Sequence, residues 1–82
     1  MQLDHIEENL VRVTMRSMFT GKVSHMDLPI REGQIHYWKQ SGEMIQNVFP
    51  HLSAEQREFL MTGVTPDEWH HMFNGAVLGE DA

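Results

Sequence analysis

Residues Val11 to Ile30, VRVTMRSMFTGKVSHMDLPI, decide the fold of this chain. Two runs of alternating apolar and polar residues flank FTGK (Phe19–Lys22), with Thr20-Gly21 at the tip, which is the pattern of a β-hairpin. With Met18 set opposite Val23, one face pairs Val11 with Ile30, Val13 with Leu28, Met15 with Met26 and Ser17 with Ser24. Arg12, Thr14, Arg16, His25 and Asp27 share the other face. A slip of one residue mixes the two faces, so the pattern supports the pairing. A lone hairpin is marginal in water, and its apolar face needs helices or a second copy to cover it.

The cover is expected downstream. A helix is predicted from Arg31 to about Gln40, with Ile35 and Trp38 on one face and Tyr37 beside it, ended by Ser41-Gly42. A short helix, Glu43 to Phe49, presents Ile45, Val48 and Phe49 before Pro50 blocks it. Ser53 with Gln56 forms a capping box that opens a helix running to Thr62, with Phe59 and Leu60 inward. Gly63 supplies the left-handed residue that closes it. Thr65 then reads as an N-cap, Pro66 as the first helical residue and Glu68 as the return partner of a second box. Val64 against Trp69 reads as the hydrophobic staple. The last helix is expected to bury Trp69, Met72 and Phe73 and to stop at Asn74-Gly75. Upstream, Leu3, Ile6 and Leu10 fall at helical spacing, yet residues 1–10 equally suit a run into the first strand. The expected architecture is α+β: an antiparallel β-hairpin packed against three to four short helices. It forms one small domain over 1–82, with an N-terminal segment 1–10, the hairpin 11–30, a helical part 31–75 and a tail 76–82.

An 82-residue chain without cysteine has neither a disulfide framework nor a thiolate metal cage to supplement a small core, so a homo-oligomer is expected. The acids in QLDHIEENL are unlike a signal peptide, and no apolar run reaches membrane-spanning length, which predicts a cytoplasmic chain without a membrane partner. The net charge is −6 and unevenly placed. The bases Arg12, Arg16, Lys22, Arg31 and Lys39 balance the acids of residues 1–41, whereas Arg57 alone faces seven acids in 42–82. Direct nucleic-acid binding is disfavoured, because phosphate recognition needs a basic surface. A basic protein surface is the better match.

Few constellations offer chemistry. The histidines show no HExxH and no i, i+4 pair, and adjacent His70 and His71 point about 100° apart on a helix, so no metal site is expected. Glu55 with Glu58, and Asp67 with Glu68, suit helix first turns, where the dipole favours acids, better than catalysis. Thr20-Gly21-Lys22 lacks the upstream glycine of a phosphate-binding loop. Arg12, Arg16 and Lys22, with His25, form a basic stripe that suits a solvated edge or a phosphate-bearing ligand. Met18 and Phe19 at the tip form an apolar pair suited to a partner contact, and methionines such as Met15, Met26, Met44 and Met72 suit an adaptable apolar surface.

The pieces TGK followed by VSHMDLP (Thr20–Pro29), Trp38 with Gly42, IQNVFPHLS (Ile45–Ser53) and EQREFLMTGVTPDEW (Glu55–Trp69) span roughly two thirds of the chain. In these pieces the chain resembles a family of small, uncharacterised bacteriophage proteins, with REFLMTGVTPDEW the most specific block. Arg31 departs from the pattern, standing where a threonine-like cap is expected. The resemblance implies a phage or prophage origin and a small α+β fold, and it brings no catalytic residues. The expected function is a non-enzymatic accessory protein that binds and modulates a host bacterial protein, as a host-takeover or counter-defence inhibitor without cofactor. Its contacts would be Met18, Phe19, Glu55, Glu58, Asp67 and Glu68. Two alternatives are an oligomer that holds a small phosphorylated nucleotide between copies through Arg12, Arg16, Lys22 and an aromatic such as Tyr37 or Trp38, and a minor virion or scaffolding component.

Overall fold

A computed structural model describes residues 1–72. The expected burial of Phe73, the helix stop at Asn74-Gly75 and the tail 76–82 lie outside the described residues. The fold is α+β. Strands β1 (Gln2–Glu7), β2 (Leu10–Arg16) and β3 (Val23–Leu28) form an antiparallel sheet in the order β1-β2-β3. Helices α1 (Glu32–Ser41), α2 (Ile45–Val48) and α3 (Ala54–Thr62) follow, and α4 spans 66–72 within the described residues.

The hairpin keeps its expected faces but not its expected partners. Val11 pairs with Leu28, Val13 with Met26, Met15 with Ser24 and Arg16 with Val23, a shift of two residues from the register with Met18 opposite Val23. The loop geometry explains the shift. Gly21 takes the left-handed conformation at φ 78° as the last loop residue, which sets Lys22 opposite Ser17. Ser17 closes the loop: its N–H donates to Lys22 O at 2.8 Å and its carbonyl accepts from Gly21 N–H at 2.9 Å. Its buried hydroxyl accepts from the N–H groups of Phe19 and Thr20. Met18 therefore belongs to the loop rather than to a strand. A slip of two preserves parity, so the inward set stays inward.

Residues 2–7 are a strand rather than a helix. Leu3 lies opposite Val13 and packs against the core, while a register break between His5 and Glu7 leaves Ile6 40% exposed. The helical spacing of Leu3, Ile6 and Leu10 thus has a different origin, a strand with a bulge.

Val11, Val13, Leu28 and Ile30 from the hairpin region meet Ile35, Ile45, Phe49, Leu52, Phe59 and Leu60 in one cluster, with Met15, Met26 and Trp38 at its margin. Each large side chain removed from water there contributes about 1.5–3 kcal/mol. Arg31 starts α1 without a side-chain acceptor. Gln34 Oε1 accepts from Arg31 N–H at 2.9 Å instead, and the guanidinium of Arg31 donates to Asn9 Oδ1 at 2.8 Å. Ser53 and Gln56 form the expected reciprocal box on α3, at 3.1 and 2.9 Å.

The Gly63 corner docks on the end of the hairpin. Gly63 has φ 78°, and its N–H donates to Phe59 O at 2.8 Å. A Cβ there would lie 2.6 Å from Arg16 O, so the residue must be glycine both for its conformation and for this approach. Met18 N–H donates to Thr62 O at 3.0 Å across the same contact. Thr65 Oγ1 caps α4 by accepting from Glu68 N–H at 3.2 Å. The sheet thereby fixes where α3 ends and α4 begins.

Candidate functional site

Between α3 and α4 the corner leaves a groove of about 340 Å³, lined by Glu55 and Glu58 on one side and by Val64, Pro66, Trp69 and His70 on the other. Glu55 and Glu58 are three residues apart on α3 and so share a face. The Thr62 hydroxyl lies 2.9 Å from Glu58 Oε2 and holds that carboxylate against the helix. Trp69, expected in the core, is 41% exposed and forms part of the groove wall. The staple partner Val64 is buried, whereas Trp69 is only partly covered. The site thus pairs an apolar wall carrying an indole with two carboxylates. That combination suits a cation on an aliphatic stem, which can place its charge near the acids and its stem on the ring.

The other acidic pair is elsewhere. Asp67 and Glu68 line a second depression of about 380 Å³ with Thr20, Lys22, His71 and Met72. The Thr20 hydroxyl donates to Glu68 Oε2 and ties α4 to the hairpin tip. Chiefly this bond holds the Glu68 carboxyl below its ordinary range; desolvation opposes it, and the Ser17 hydroxyl, the Lys22 charge and the Thr65 N–H add smaller effects. Glu68 therefore serves the junction first. Met18 and Phe19 stand out at the tip, 66% and 58% exposed, and Met61 and Met44 are also exposed. Met15 and Met26 instead pack at the core margin.

The basic stripe is largely engaged within the chain. Arg12 Nε and Nη2 donate to the two carboxylate oxygens of Asp27 at 2.7 and 3.1 Å. That bond, then the paired charge, raises the Arg12 pKa. The same bond lowers that of Asp27, against desolvation and with a further contribution from His25. Arg16 Nη1 donates to Gly21 O at 2.9 Å. Tyr37 is exposed on α1, whereas Trp38 packs edge-on against Phe49 at 6.0 Å and has Lys39 Nζ 5.5 Å from its ring. Within one chain, Arg12 and Arg16 lie on the sheet face opposite the core that holds α1, so the five proposed ligand residues do not converge.

All six histidines are exposed, and no group of three or more His, Asp or Glu side chains that could hold a metal occurs among the described residues. Nor is any described helix long and apolar enough to cross a membrane. Sequence reasoning missed Trp69 and His70 as groove residues. The one signal for them was position, since both follow Pro66 by three and four residues on the helix turn that faces α3. No protein-family model matches the chain, and neither a curated protein nor a solved structure matches it.

Proposed function

We propose that this chain is a small non-enzymatic binding protein, of phage or prophage origin, that engages and modulates a basic host protein in the bacterial cytoplasm. The origin rests on the resemblance of the REFLMTGVTPDEW block. The binding mode rests on one observation: an exposed tryptophan shares a groove with Glu55 and Glu58. A folded chain with a small core gains more from burying an indole than from leaving it in water, so exposure at an acidic groove favours a recognition role. The occupant is a surface segment carrying arginine or lysine. Met18 and Phe19 at the tip add a separate apolar anchor, and the excess negative charge of residues 42–82 speeds encounter with a basic target.

The nucleotide-sequestering alternative has less support, because Asp27 already occupies the Arg12 guanidinium and Gly21 O accepts from Arg16. The test is affinity capture from bacterial lysate with the wild-type chain, Glu55→Lys/Glu58→Lys and Trp69→Ala in parallel. One protein retained in equimolar amount by wild type, weakened by salt and lost with both variants, is the expected result. Retention unchanged by both variants would reject the groove as the binding site.

A further inference from the structure

We infer that the groove between α3 and α4 selects arginine over lysine, with Thr62 as the residue that positions the carboxylate reading it; the inference rests on the groove being the binding site. The Thr62 side chain ties the two walls together. Its hydroxyl hydrogen is shared between Glu58 Oε2 at 2.9 Å and Glu58 O at 3.0 Å, and its oxygen accepts from Val64 N–H at 3.3 Å. Thr62 lies one turn beyond Glu58, so the bond draws that carboxylate along α3 towards the corner, where Val64 begins the apolar wall. Glu55 lies on the same face, about one turn nearer the start of the helix. Neither acid is ion-paired among the described residues.

The groove therefore presents two negative groups in file beside a wall that carries the Trp69 indole. A guanidinium matches this arrangement better than an ammonium does. It is planar and can lie on the indole face, and it gives up water at lower cost. Its five N–H donors form a fork, so that one carboxylate can take two of them while the next takes a third. Glu58 keeps that capacity, because Oε1 and the second lone pair of Oε2 are left as acceptors beside the Thr62 bond. Lysine brings a compact, strongly hydrated charge that gains little from a flat wall in an open groove. The arginine belongs to a different protein rather than to a second copy of this chain. Of the four arginines here, Arg12 is held by Asp27, Arg16 by Gly21 O and Arg31 by Asn9 and Glu8, while the Nε of Arg57 is buried. The excess negative charge of residues 42–82 complements such a basic partner.

Chemical-shift titration of the isotope-labelled full chain with the tripeptides acetyl-Gly-Arg-Gly-amide and acetyl-Gly-Lys-Gly-amide, at matched ionic strength, tests the inference. The indole N–H resonance that Trp69→Phe removes and the amides of Glu55 and Glu58 should move to saturation, with the arginine peptide bound about five- to tenfold more tightly than the lysine peptide. Thr62→Val keeps the shape of the side chain, loses the hydroxyl and should abolish that preference, and Thr62→Ser should restore it. A role for Thr62 in packing alone would leave the preference unchanged. If the valine variant does not fold, Glu58→Gln serves: it keeps the side-chain size, removes the charge and should weaken the arginine peptide about tenfold and the lysine peptide less. Equal binding of the two peptides, or a preference unmoved in the variant that folds, would overturn arginine selection while leaving the groove as a site for basic segments. No shift at the groove with either peptide up to about 10 mM would overturn this inference and the groove as the binding site together.

Discussion

Gly42 and Gly63 close two helices with nearly the same backbone, at φ 75° and 78°, but they do different work. Nothing lies within 4 Å of a Cβ built at Gly42, whereas one at Gly63 meets Arg16 O at 2.6 Å and Ser17 Cα at 3.2 Å. The first glycine answers a local need of α1. The second also lets α3 press on the end of β2, and so positions both the groove and the hairpin tip. Left-handed helix caps look alike in sequence; only the close approach distinguishes a stop signal from a joint.

The comparison breaks if the two glycines respond equally to alanine. Gly63→Ala should lose about 2–5 kcal/mol in urea unfolding, from backbone strain plus displacement of the hairpin end, while Gly42→Ala loses about 1–2 kcal/mol. Ser53→Ala, which removes one side of the α3 box, should cost about 1 kcal/mol and leave the joint intact. Smaller effects come from charge. The folded pKa values of Asp27 and Glu68 are depressed, so their stabilisation is fully present above the ordinary carboxylate range and is lost as pH falls through the lowered folded values. Asp27→Asn and Glu68→Gln should each flatten the acid limb of stability against pH, and Glu68→Gln alone should loosen α4 from the tip, read as faster amide exchange near Thr20. Trp69→Ala should abolish partner capture, with a stability loss of about 1–2 kcal/mol for the covered part of the indole, which is 41% exposed.

How legible these features were depends on the range of the interactions that set them. The Ser53 box, the Gly63 stop and the Thr65 cap are readable within a few residues, and they stand where the sequence puts them. The faces of the hairpin were readable by parity, but its register was not, because a slip of two leaves parity unchanged and the position of Gly21 in the loop decides. β1 was hidden by a bulge at Ile6 that mimics helical spacing. Trp69 shows the limit of periodicity: an apolar position on a helix reads the same whether it faces a core or a groove. Glu55 and Glu58 were legible as an acidic pair, but their indole wall was not. Asp67 and Glu68 looked equivalent to them, and only the contact with Thr20 assigns Glu68 to the joint.

Hydrogen exchange on the captured complex tests the groove most directly, comparing the chain alone with the chain bound to its retained partner. Protection at residues 54–58 and 64–70 and at the tip around residues 18–19, with the polar face of the sheet unchanged, is the predicted result. Protection at residues 12–16 and 22–27 with the groove unaltered would contradict it and move recognition to the sheet.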